Sequence, residues 1–328
     1  MVLVADIGAT KIVLAVADVQ EGQMTLSLLN RYEASAFGSI DEVLSRYLAE
    51  ISTSDISSLC AAVAGPVMGN VCRMTNLGWD IDGDAISRKF GLGRAVLLND
   101  LVASGYGLDA VPVDKIFNVH SGEKPGFGNR VLLSPGTGLG ETIIHYINGR
   151  FIPVPSEGGH TDFAPYNGTT MRLWSFLKQT SARVSVENLL SGSGMFNIFR
   201  FLAAENGVSA DEQLPQSHRT EPAAQITSLA LEERHPLSLQ AVALFLDILA
   251  SEAGNMALKG LATGGVFIGG GIVPRIVSLI DRTRFATRFS DKEPHTALLE
   301  KIPLSVVTDT NLPLYGAASY LLTLQDGK

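Results

Sequence analysis

Two segments of the sequence share one pattern, an apolar strand followed by a short turn rich in glycine and threonine and then by a second apolar strand. The first segment starts at Val2, turns at residues 7–10 and continues over residues 11–18. The second starts at Arg130, turns at residues 135–140 and continues over residues 141–147. Two copies of one supersecondary unit predict a duplicated α/β fold with pseudo-twofold halves and a cleft between them.

Apolar periodicity predicts the elements around these two segments. A capping box from Ser39 to Glu42 marks the start of the first helix. Helices are predicted over residues 40–52, 168–180, 194–206, 236–262, 272–286 and 312–324. Strands are predicted over residues 2–6, 11–18, 24–33, 59–64, 95–98, 131–134, 141–147 and 303–308. The polar stretch 207–225 is interpreted as a surface loop.

Composition excludes several classes of protein. The chain has 328 residues, which favours two domains, and 46% of them are hydrophobic, which is too apolar for intrinsic disorder. A net charge of −8 without a long basic run predicts no nucleic-acid partner. The long apolar helix contains Asp247, Glu252 and Lys259, so we interpret it as a buried helix and expect no membrane span.

Cysteine usage and the first residues bear on the compartment. Cys60 and Cys72 flank a Gly-Pro turn and are interpreted as free buried thiols, with a disulfide between them as the alternative. Asp6 interrupts the first apolar run before a signal peptide can form. We therefore expect a soluble protein in the cytoplasm.

Two loops carry the residue types that bind phosphate, namely glycines, whose expected positive φ lets backbone N–H groups face an anion, and threonines, which donate a hydroxyl. The first is Asp6-Ile-Gly8-Ala-Thr10-Lys and the second is Gly136-Thr137-Gly138-Leu-Gly. Neither matches a Walker A loop or a dinucleotide-binding fingerprint. An ordinary hairpin turn explains each loop alone, and their occurrence in both halves of a duplicated fold favours phosphate binding.

A series of motifs follows in order along the chain. They are Asp6–Lys11, Leu98-Asn99-Asp100, Pro135–Gly140, Ser156–Ala164 with Glu157-Gly-Gly-His160, Val186–Gly192 with Glu187, Gly264–Arg275 and Asn311–Ala317. Through these motifs the chain resembles the bacterial glucokinases of the hexokinase and actin-like ATPase superfamily from residue 3 to residue 318. Ala9 and Lys11 stand where the family usually has glycine and asparagine. The cysteine-rich zinc site of the related repressor and sugar-kinase (ROK) group is missing.

The resemblance implies an actin-like ATPase (ribonuclease H-like) fold with two lobes around a cleft. It implies a small lobe of residues 1–108 plus 304–328 and a large lobe of residues 109–303. It also implies an enzyme that uses ATP and Mg²⁺ to phosphorylate glucose, as a homodimer. A sugar sensor without catalysis, motivated by Ala9 and Lys11, and a kinase for another hexose are the alternatives.

Roles for individual residues follow from the resemblance. Asp100, at the end of a strand where ligands bind in open α/β sheets, is expected to be the general base, with a helix cap as the alternative. The hexose is expected on Asn99, Glu157, His160 and Glu187. The nucleotide is expected on Asp6, Gly8, Thr10, Gly136, Thr137, Gly138, Gly270 and Gly271, with Mg²⁺ on Asp6. Tight packing explains Gly270 and Gly271 equally well, and Gly316 is either a hinge residue or a packing residue.

Overall fold

The computed structural model describes residues 1–20, 23–51, 55–123, 127–214 and 222–325. The chain forms two compact units. Unit 1 comprises Met1–Val113, Ile152–Pro155 and Asn311–Lys328, and unit 2 comprises Asp114–Phe151 and Ser156–Thr310.

Strands and helices alternate through most of the chain. The strands are β1 Val2–Ile7, β2 Lys11–Gln20, β3 Gln23–Glu33, β4 Ser58–Val63, β5 Val67–Met68, β6 Val71–Met74, β7 Trp79–Asp82, β8 Arg94–Asn99, β9 Ile116–His120, β10 Arg130–Pro135, β11 Leu139–Ile147, β12 Arg150–Val154, β13 Gly265–Ile268 and β14 Leu304–Val307. The helices are α1 Ile40–Glu50, α2 Gly83–Phe90, α3 Asp100–Gly107, α4 Gly168–Lys178, α5 Gly192–Glu205, α6 Pro222–Leu231, α7 Pro236–Gly260, α8 Val273–Ile276, α9 Arg282–Ser290, α10 Thr296–Leu299 and α11 Leu312–Gln325.

Each unit contains one main sheet, and the two sheets share a strand succession. In unit 1 the order is β3-β2-β1-β4-β8, with β1 antiparallel to β2 and parallel to β4, and with β4 parallel to β8. In the second sheet the order is β12-β11-β10-β13-β14-β9, with β10 antiparallel to β11 and parallel to β13, and with β13 parallel to β14. The α/β class is therefore confirmed, and the topology of the first sheet recurs in the second.

The sheet of unit 1 is covered on both faces. Successive side chains of a strand point to opposite faces. Accordingly, Leu3 and Ala5 belong to the core cluster that includes α1, whereas Val4 belongs to the cluster that includes α11. Gly316 of α11 packs against α3, because a Cβ there would lie 1.6 Å from the carbonyl oxygen of Ala103. This contact supports the packing role that the sequence left open for Gly316.

The core of unit 2 is built around α7. This helix is long and apolar enough to cross a membrane, but 72% of its apolar window is buried inside the protein. It ends at Gly260 because Leu261 adopts the left-handed conformation with φ of 44°. The residues of α7 thus form the centre of a core that also includes α5 and α9.

The structure corrects several predicted boundaries. The predicted helix 272–286 is divided into α8, a 3₁₀ turn at residues 277–279 and α9, because Asp281 caps α9 by accepting a hydrogen bond from Arg284 N. The predicted loop 207–225 ends earlier, since α6 starts at Pro222, while residues 215–221 lie outside the described residues. The predicted first helix ends at Glu50, and residue 52 also lies outside them.

Strand β14 also changes the predicted division of the chain. The sequence places residues 304–328 in the first lobe, but β14 pairs with β13 and β9 inside the sheet of unit 2. Residues 304–310 therefore belong to unit 2, and the return to unit 1 occurs at Asn311. The small sheet β5-β6-β7 was not predicted. Cys60 and Cys72 are free and buried, as predicted.

Candidate active site

Two carboxylates lie at one edge of the unit 1 sheet. Asp6 is near the end of β1, and Asp100 immediately follows β8 as the first residue of α3. The two strands flank β4 in parallel, and Ile7 is level with Val63, which is in turn level with Asn99. Carboxyl ends of parallel strands meet at one edge of a sheet, so the fold places both acids where ligands bind in open α/β sheets.

The surroundings of Asp6 disfavour its charged form. Burial is the largest cause, the neighbouring Asp100 is the second, and Lys11 opposes both; together they raise the pKa of Asp6 to about 7. Asp100 also contributes to raising the pKa of the Cys72 thiol, after the larger effect of burial. This edge therefore concentrates negative charge that a cation would stabilise.

Asn99 has a structural role that the sequence did not predict. Its side-chain oxygen caps α3 by accepting hydrogen bonds from Leu101 N at 3.1 Å and Val102 N at 3.2 Å. Its amide nitrogen donates to Gly65 O at 3.2 Å. A primary amide has two N–H donors, so the second can serve a ligand hydroxyl while these bonds hold the side chain still. Helix capping, the alternative for Asp100, is thus performed by its neighbour, although Asp100 Oδ1 also accepts from Leu101 N at 2.8 Å.

The first predicted phosphate loop is the turn between β1 and β2. Gly8 N donates to Lys11 O at 3.0 Å, which closes the turn, and Thr10 is exposed. Gly8 does not adopt the positive φ that the sequence argument assumed. A Cβ there would lie 3.1 Å from Lys11 O, so space rather than φ favours glycine. Ala9 also has a negative φ, a conformation in which its methyl group is unstrained.

The second predicted phosphate loop, between β10 and β11, has many partners within unit 2. Gly136 N donates to Gly138 O at 2.8 Å, and Gly192 N donates to Gly136 O at 2.9 Å. Glu187 Oε2 accepts from Leu139 N at 2.8 Å. A Cβ on Gly138 would lie 2.5 Å from that same oxygen. Neither Gly136 nor Gly138 has a positive φ. Close packing explains the glycine at position 138, whereas a Cβ on Gly136 would meet nothing nearer than Gly271 N at 4.0 Å. Thr137 is exposed at the tip.

Gly270 and Gly271 follow β13 and differ from each other. Gly270 has φ of 85°, and a Cβ there would lie 2.3 Å from Pro135 O, so tight packing accounts for it. A Cβ on Gly271 would meet nothing within 4 Å. Its N–H donates to Pro135 O at 3.1 Å. The helix that follows, α8, has only 4 residues.

Three predicted sugar-binding side chains gather at one turn of unit 2. Residues Gly158–His160 form a 3₁₀ turn that starts after Glu157. His160 Nε2 lies 3.9 Å from Glu157 Oε2, and His160 Nδ1 lies 3.8 Å from Glu187 Oε1. The side chains of Glu157 and His160 are 81% and 59% exposed. The imidazole thus lies between two carboxylates, an arrangement of acceptors and a donor that suits vicinal hydroxyl groups.

Backbone hydrogen bonds hold this turn in place. His160 N donates to Glu157 O at 3.0 Å, and Glu187 N donates to Gly159 O at 2.8 Å. Arg183, which the sequence did not single out, donates to His160 O and pairs with Asp162. An Arg on the surface of a polar segment resembles any solvated charge, so no sequence pattern marked it.

A Mg²⁺ ion fits this chain only as a partner of bound phosphates. Among the described residues there is no group of three or more His, Cys, Asp or Glu side chains that could form a complete metal cage. Mg²⁺ usually takes one or two carboxylates and otherwise phosphate and water oxygens. The partly exposed pair Asp6 and Asp100 matches that requirement.

Comparison with known proteins identifies the family. The model of the family described as glucokinase matches residues 3–324. The chain belongs to the glucokinase family. The glucokinase of Nostoc punctiforme is 32% identical over 333 residues, which cover 97% of this chain and 98% of that relative. A crystal structure of glucokinase from an Antarctic psychrotroph has a TM-score of 0.85 and 30% identity, covering 98% of both chains.

A third comparison shows the fold alone. The ROK family glucokinase from Streptomyces griseus, crystallised with glucose and AMPPNP, has a TM-score of 0.62 and 20% identity, covering 97% of this chain and 98% of that one. Solved relatives therefore include glucokinases and a ROK family sugar kinase. The predicted membership of the glucokinase family is confirmed.

One buried residue of this glucokinase family member was missed entirely. Glu141 lies on β11, is 0% exposed, and has no hydrogen-bond partner for either carboxyl oxygen among the described residues. A glutamate that follows a glycine loop looks like a solvent-facing residue. The available signal was its position two residues after Leu139, which places both side chains on one face of the strand.

Proposed function

We propose that this chain transfers the γ-phosphoryl group of ATP to the 6-hydroxyl of glucose, giving glucose 6-phosphate and ADP. The observation that carries the proposal is the turn that brings His160 within 4 Å of both Glu157 and Glu187 in a member of the glucokinase family. The ROK relative crystallised with glucose and AMPPNP supports an adenine nucleotide as the donor.

Glucose is held by side-chain hydrogen bonds in this proposal. Glu157, His160 and Glu187 bind ring hydroxyls, and the second amide N–H of Asn99 binds another. One carboxylate oxygen of Glu187, Oε2, already accepts a hydrogen bond from Leu139 N. Glu187 therefore offers mainly Oε1 to the sugar.

Asp100 acts as the general base. Its carboxylate accepts the proton of the 6-hydroxyl while that oxygen forms a bond to the γ-phosphorus and the bond from phosphorus to the β,γ-bridging oxygen breaks. The electron pair of the broken bond stays on ADP. The backbone hydrogen bond from Leu101 N to Asp100 Oδ1 orients the carboxylate without removing its capacity to accept the proton.

In this proposal the donor phosphates bind to the glycine and threonine loops, at Gly8 and Thr10 and at the segment from Gly136 to Gly138. The open space beside Gly271 supports nucleotide approach there, with Gly270 shaping the backbone. Mg²⁺, held at Asp6, would neutralise phosphate charge when bound. Positioning and charge stabilisation account for most of the catalysis.

The proposal includes an actin-like ATPase (ribonuclease H-like) fold. The strand succession shared by the two main sheets supports the duplication on which such a fold is built. The family resemblance supports a cytoplasmic homodimer.

A coupled assay of the purified chain with Mg-ATP and a panel of hexoses tests this function. We expect turnover with glucose at the highest kcat/KM. Faster turnover of another hexose would reassign the substrate. If calorimetry shows that glucose binds but no hexose is phosphorylated, the chain is a sugar sensor and not an enzyme.

A further inference from the structure

The turn that presents Glu157 and His160 rests directly on β11. A Cβ on Gly158 would lie 2.5 Å from Glu141 Oε2 and 3.1 Å from Glu141 Cβ. A Cβ on Gly159 would lie 2.3 Å from Leu139 O. Such distances leave no space for any larger residue, so the backbone of the turn is in van der Waals contact with the side chain of Glu141.

The side chain of Glu141 therefore packs directly under the turn, and glutamate is an unusual residue for that place. It is fully buried, and neither of its oxygens has a hydrogen-bond partner among the residues that the structure describes. Burying a carboxylate without a partner is strongly unfavourable, and an apolar residue of the same size would avoid that cost. A buried polar group without partners calls for a functional explanation.

The charges around Glu141 favour its neutral form. Glu252 of α7 is the neighbouring acid, and it is already satisfied by Asn255 Nδ2 at 2.8 Å and Lys259 Nζ at 3.4 Å. Burial is the largest cause that raises the pKa of Glu141, to about 8, followed by Glu252, with Lys259 opposing. At neutral pH the group beneath Gly158 is thus an uncharged carboxylic acid, with no charge placed under the turn.

We propose that Glu141 is a positioning residue that sets the height of the Glu157–His160 turn and through it the affinity for the sugar. The volume of its carboxyl group supports the Gly158 backbone from below. His160 and Glu157 then meet the sugar hydroxyls at the right distance without any contact between Glu141 and the ligand. This inference rests on the proposed function for its kinetic readout only.

Substitutions of Glu141 separate positioning from general stability. Glu141→Gln keeps the size of the side chain and mimics the neutral acid, so glucose KM should stay within about 3-fold of wild type. Glu141→Ala removes the side-chain atoms that pack under Gly158. The glucose KM should therefore rise at least about 5-fold, with a smaller change in kcat and none in the KM for ATP. If Glu141→Ala does not fold, Glu141→Asp retracts the carboxyl group by one methylene and carries the same expectation.

A matched control is Leu299→Ala, which creates a cavity in the same core at a residue that is 0% exposed on α10. It should lower the free energy of unfolding and leave glucose KM unchanged. An equal rise of glucose KM in the control would reduce Glu141 to an ordinary core residue. A glucose KM in Glu141→Ala equal to that of wild type would overturn the proposal.

Amide hydrogen exchange gives a readout that does not depend on catalysis. The N–H groups of His160, Thr161 and Glu187 donate to backbone carbonyls of the turn or its neighbour. They should exchange faster in Glu141→Ala and at the wild-type rate in Glu141→Gln and Leu299→Ala. If the wild type fails to phosphorylate any hexose, the proposed function fails while this exchange test still stands. Unchanged exchange in Glu141→Ala contradicts the positioning role itself.

Discussion

The turns at residues 8–11 and 136–138 close corresponding hairpins of the two main sheets, and they differ in what surrounds them. The first turn is closed by a bond from Gly8 N to Lys11 O and lies near the acid Asp6. The second is bound from outside by Glu187 and by Gly192 N. Two copies of one supersecondary unit thus have different neighbours, an acidic pair in unit 1 and the carboxylate of Glu187 in unit 2.

This difference predicts how each turn contributes to function. The unit 1 turn lies beside Asp6 and Asp100, which we propose handle the cation and the proton, so changes near it should affect kcat. The unit 2 turn contacts Glu187, which we propose binds the sugar, so changes there should affect the KM for glucose together with that for ATP. The predictions below test this division.

The largest effect is expected for Asp100→Asn. The amide keeps the hydrogen-bonding shape but cannot accept the hydroxyl proton, so kcat should fall about 10²- to 10⁴-fold. The Kd for glucose, measured by calorimetry, should change little, because the proposed sugar-binding side chains are those of Asn99, Glu157, His160 and Glu187. Retention of more than about a third of wild-type kcat would remove Asp100 as the base.

The next effect concerns stability and pH. Glu141 has a raised pKa in the folded chain, about 8 against an ordinary 4.5, so the folded state holds its proton where the unfolded state has lost it. The free energy of unfolding should therefore fall as pH rises from about 4.5 to about 8, by at most about 1.4 kcal/mol per pH unit. Glu141→Gln should lose the part of this dependence that comes from Glu141 and keep the part that comes from Asp6, whose pKa is also raised, to about 7. It should gain stability relative to wild type across the window. If the free energy of unfolding, measured by urea denaturation, changes with pH in the same way in both proteins, this prediction is wrong.

Glu187→Gln tests the sugar side of the comparison. It replaces one acceptor by a donor, which mispairs either a sugar hydroxyl or Leu139 N–H, at a cost of about 1–3 kcal/mol or roughly 5- to 150-fold in kcat/KM. Most of the loss should appear as a higher KM for glucose. Comparison of glucose with 2-deoxyglucose on both proteins shows whether Glu187 contacts the 2-hydroxyl, since the mutant should then discriminate less. An unchanged glucose KM would place Glu187 outside the site.

Gly138→Ala separates the two turns most sharply. The added methyl group would meet Glu187 Oε2 at 2.5 Å and displace it from Leu139 N, so the KM values for both substrates should rise, each by about 3- to 30-fold. Gly168→Ala is the matched control in the same unit, because the nearest atom to its new methyl is Arg172 Nη1 at 3.7 Å, and it should change either KM by less than about 3-fold. Equal effects of the two substitutions would contradict the coupling through Glu187.

The smallest effect is expected for Ala9→Gly in the unit 1 turn. Ala9 has a negative φ, so glycine relieves no strain and only permits a closer approach of phosphate. The KM for ATP should fall slightly or stay unchanged, and that for glucose should not move. A higher glucose KM with no effect on ATP would place this turn on the sugar instead.

The sequence predicted the fold through its strongest periodicities. Apolar strands around two glycine and threonine turns identified the repeated unit, and the long apolar pattern of α7 identified a buried helix. The division between α8 and α9 was missed because apolar residues continue across it, although Asp281 carries the signal of an N-cap. The placement of β14 was missed because strand partners are set by tertiary pairing, which one sequence does not encode locally.

For the site, the residue types were predictable and their contacts were not. Motif spacing selected Glu157, His160 and Glu187, which the structure brings together. Positive φ was expected at the loop glycines, but the structure shows none there. Contacts with Lys11 and Glu187 explain the glycines at positions 8 and 138 instead. The buried state of Glu141 depends on packing between β11, α7 and the Gly158 turn, which lie far apart along the chain.

The central claim is that the phosphoryl group of ATP goes to the 6-hydroxyl of glucose, and ³¹P NMR of the purified chain with Mg-ATP tests it directly. With glucose, the account predicts a phosphomonoester signal that grows in equal amount with ADP. With 6-deoxyglucose, it predicts no phosphomonoester and no ADP beyond that formed without sugar. ADP formation from glucose without a phosphomonoester, or a phosphomonoester from 6-deoxyglucose, would contradict it.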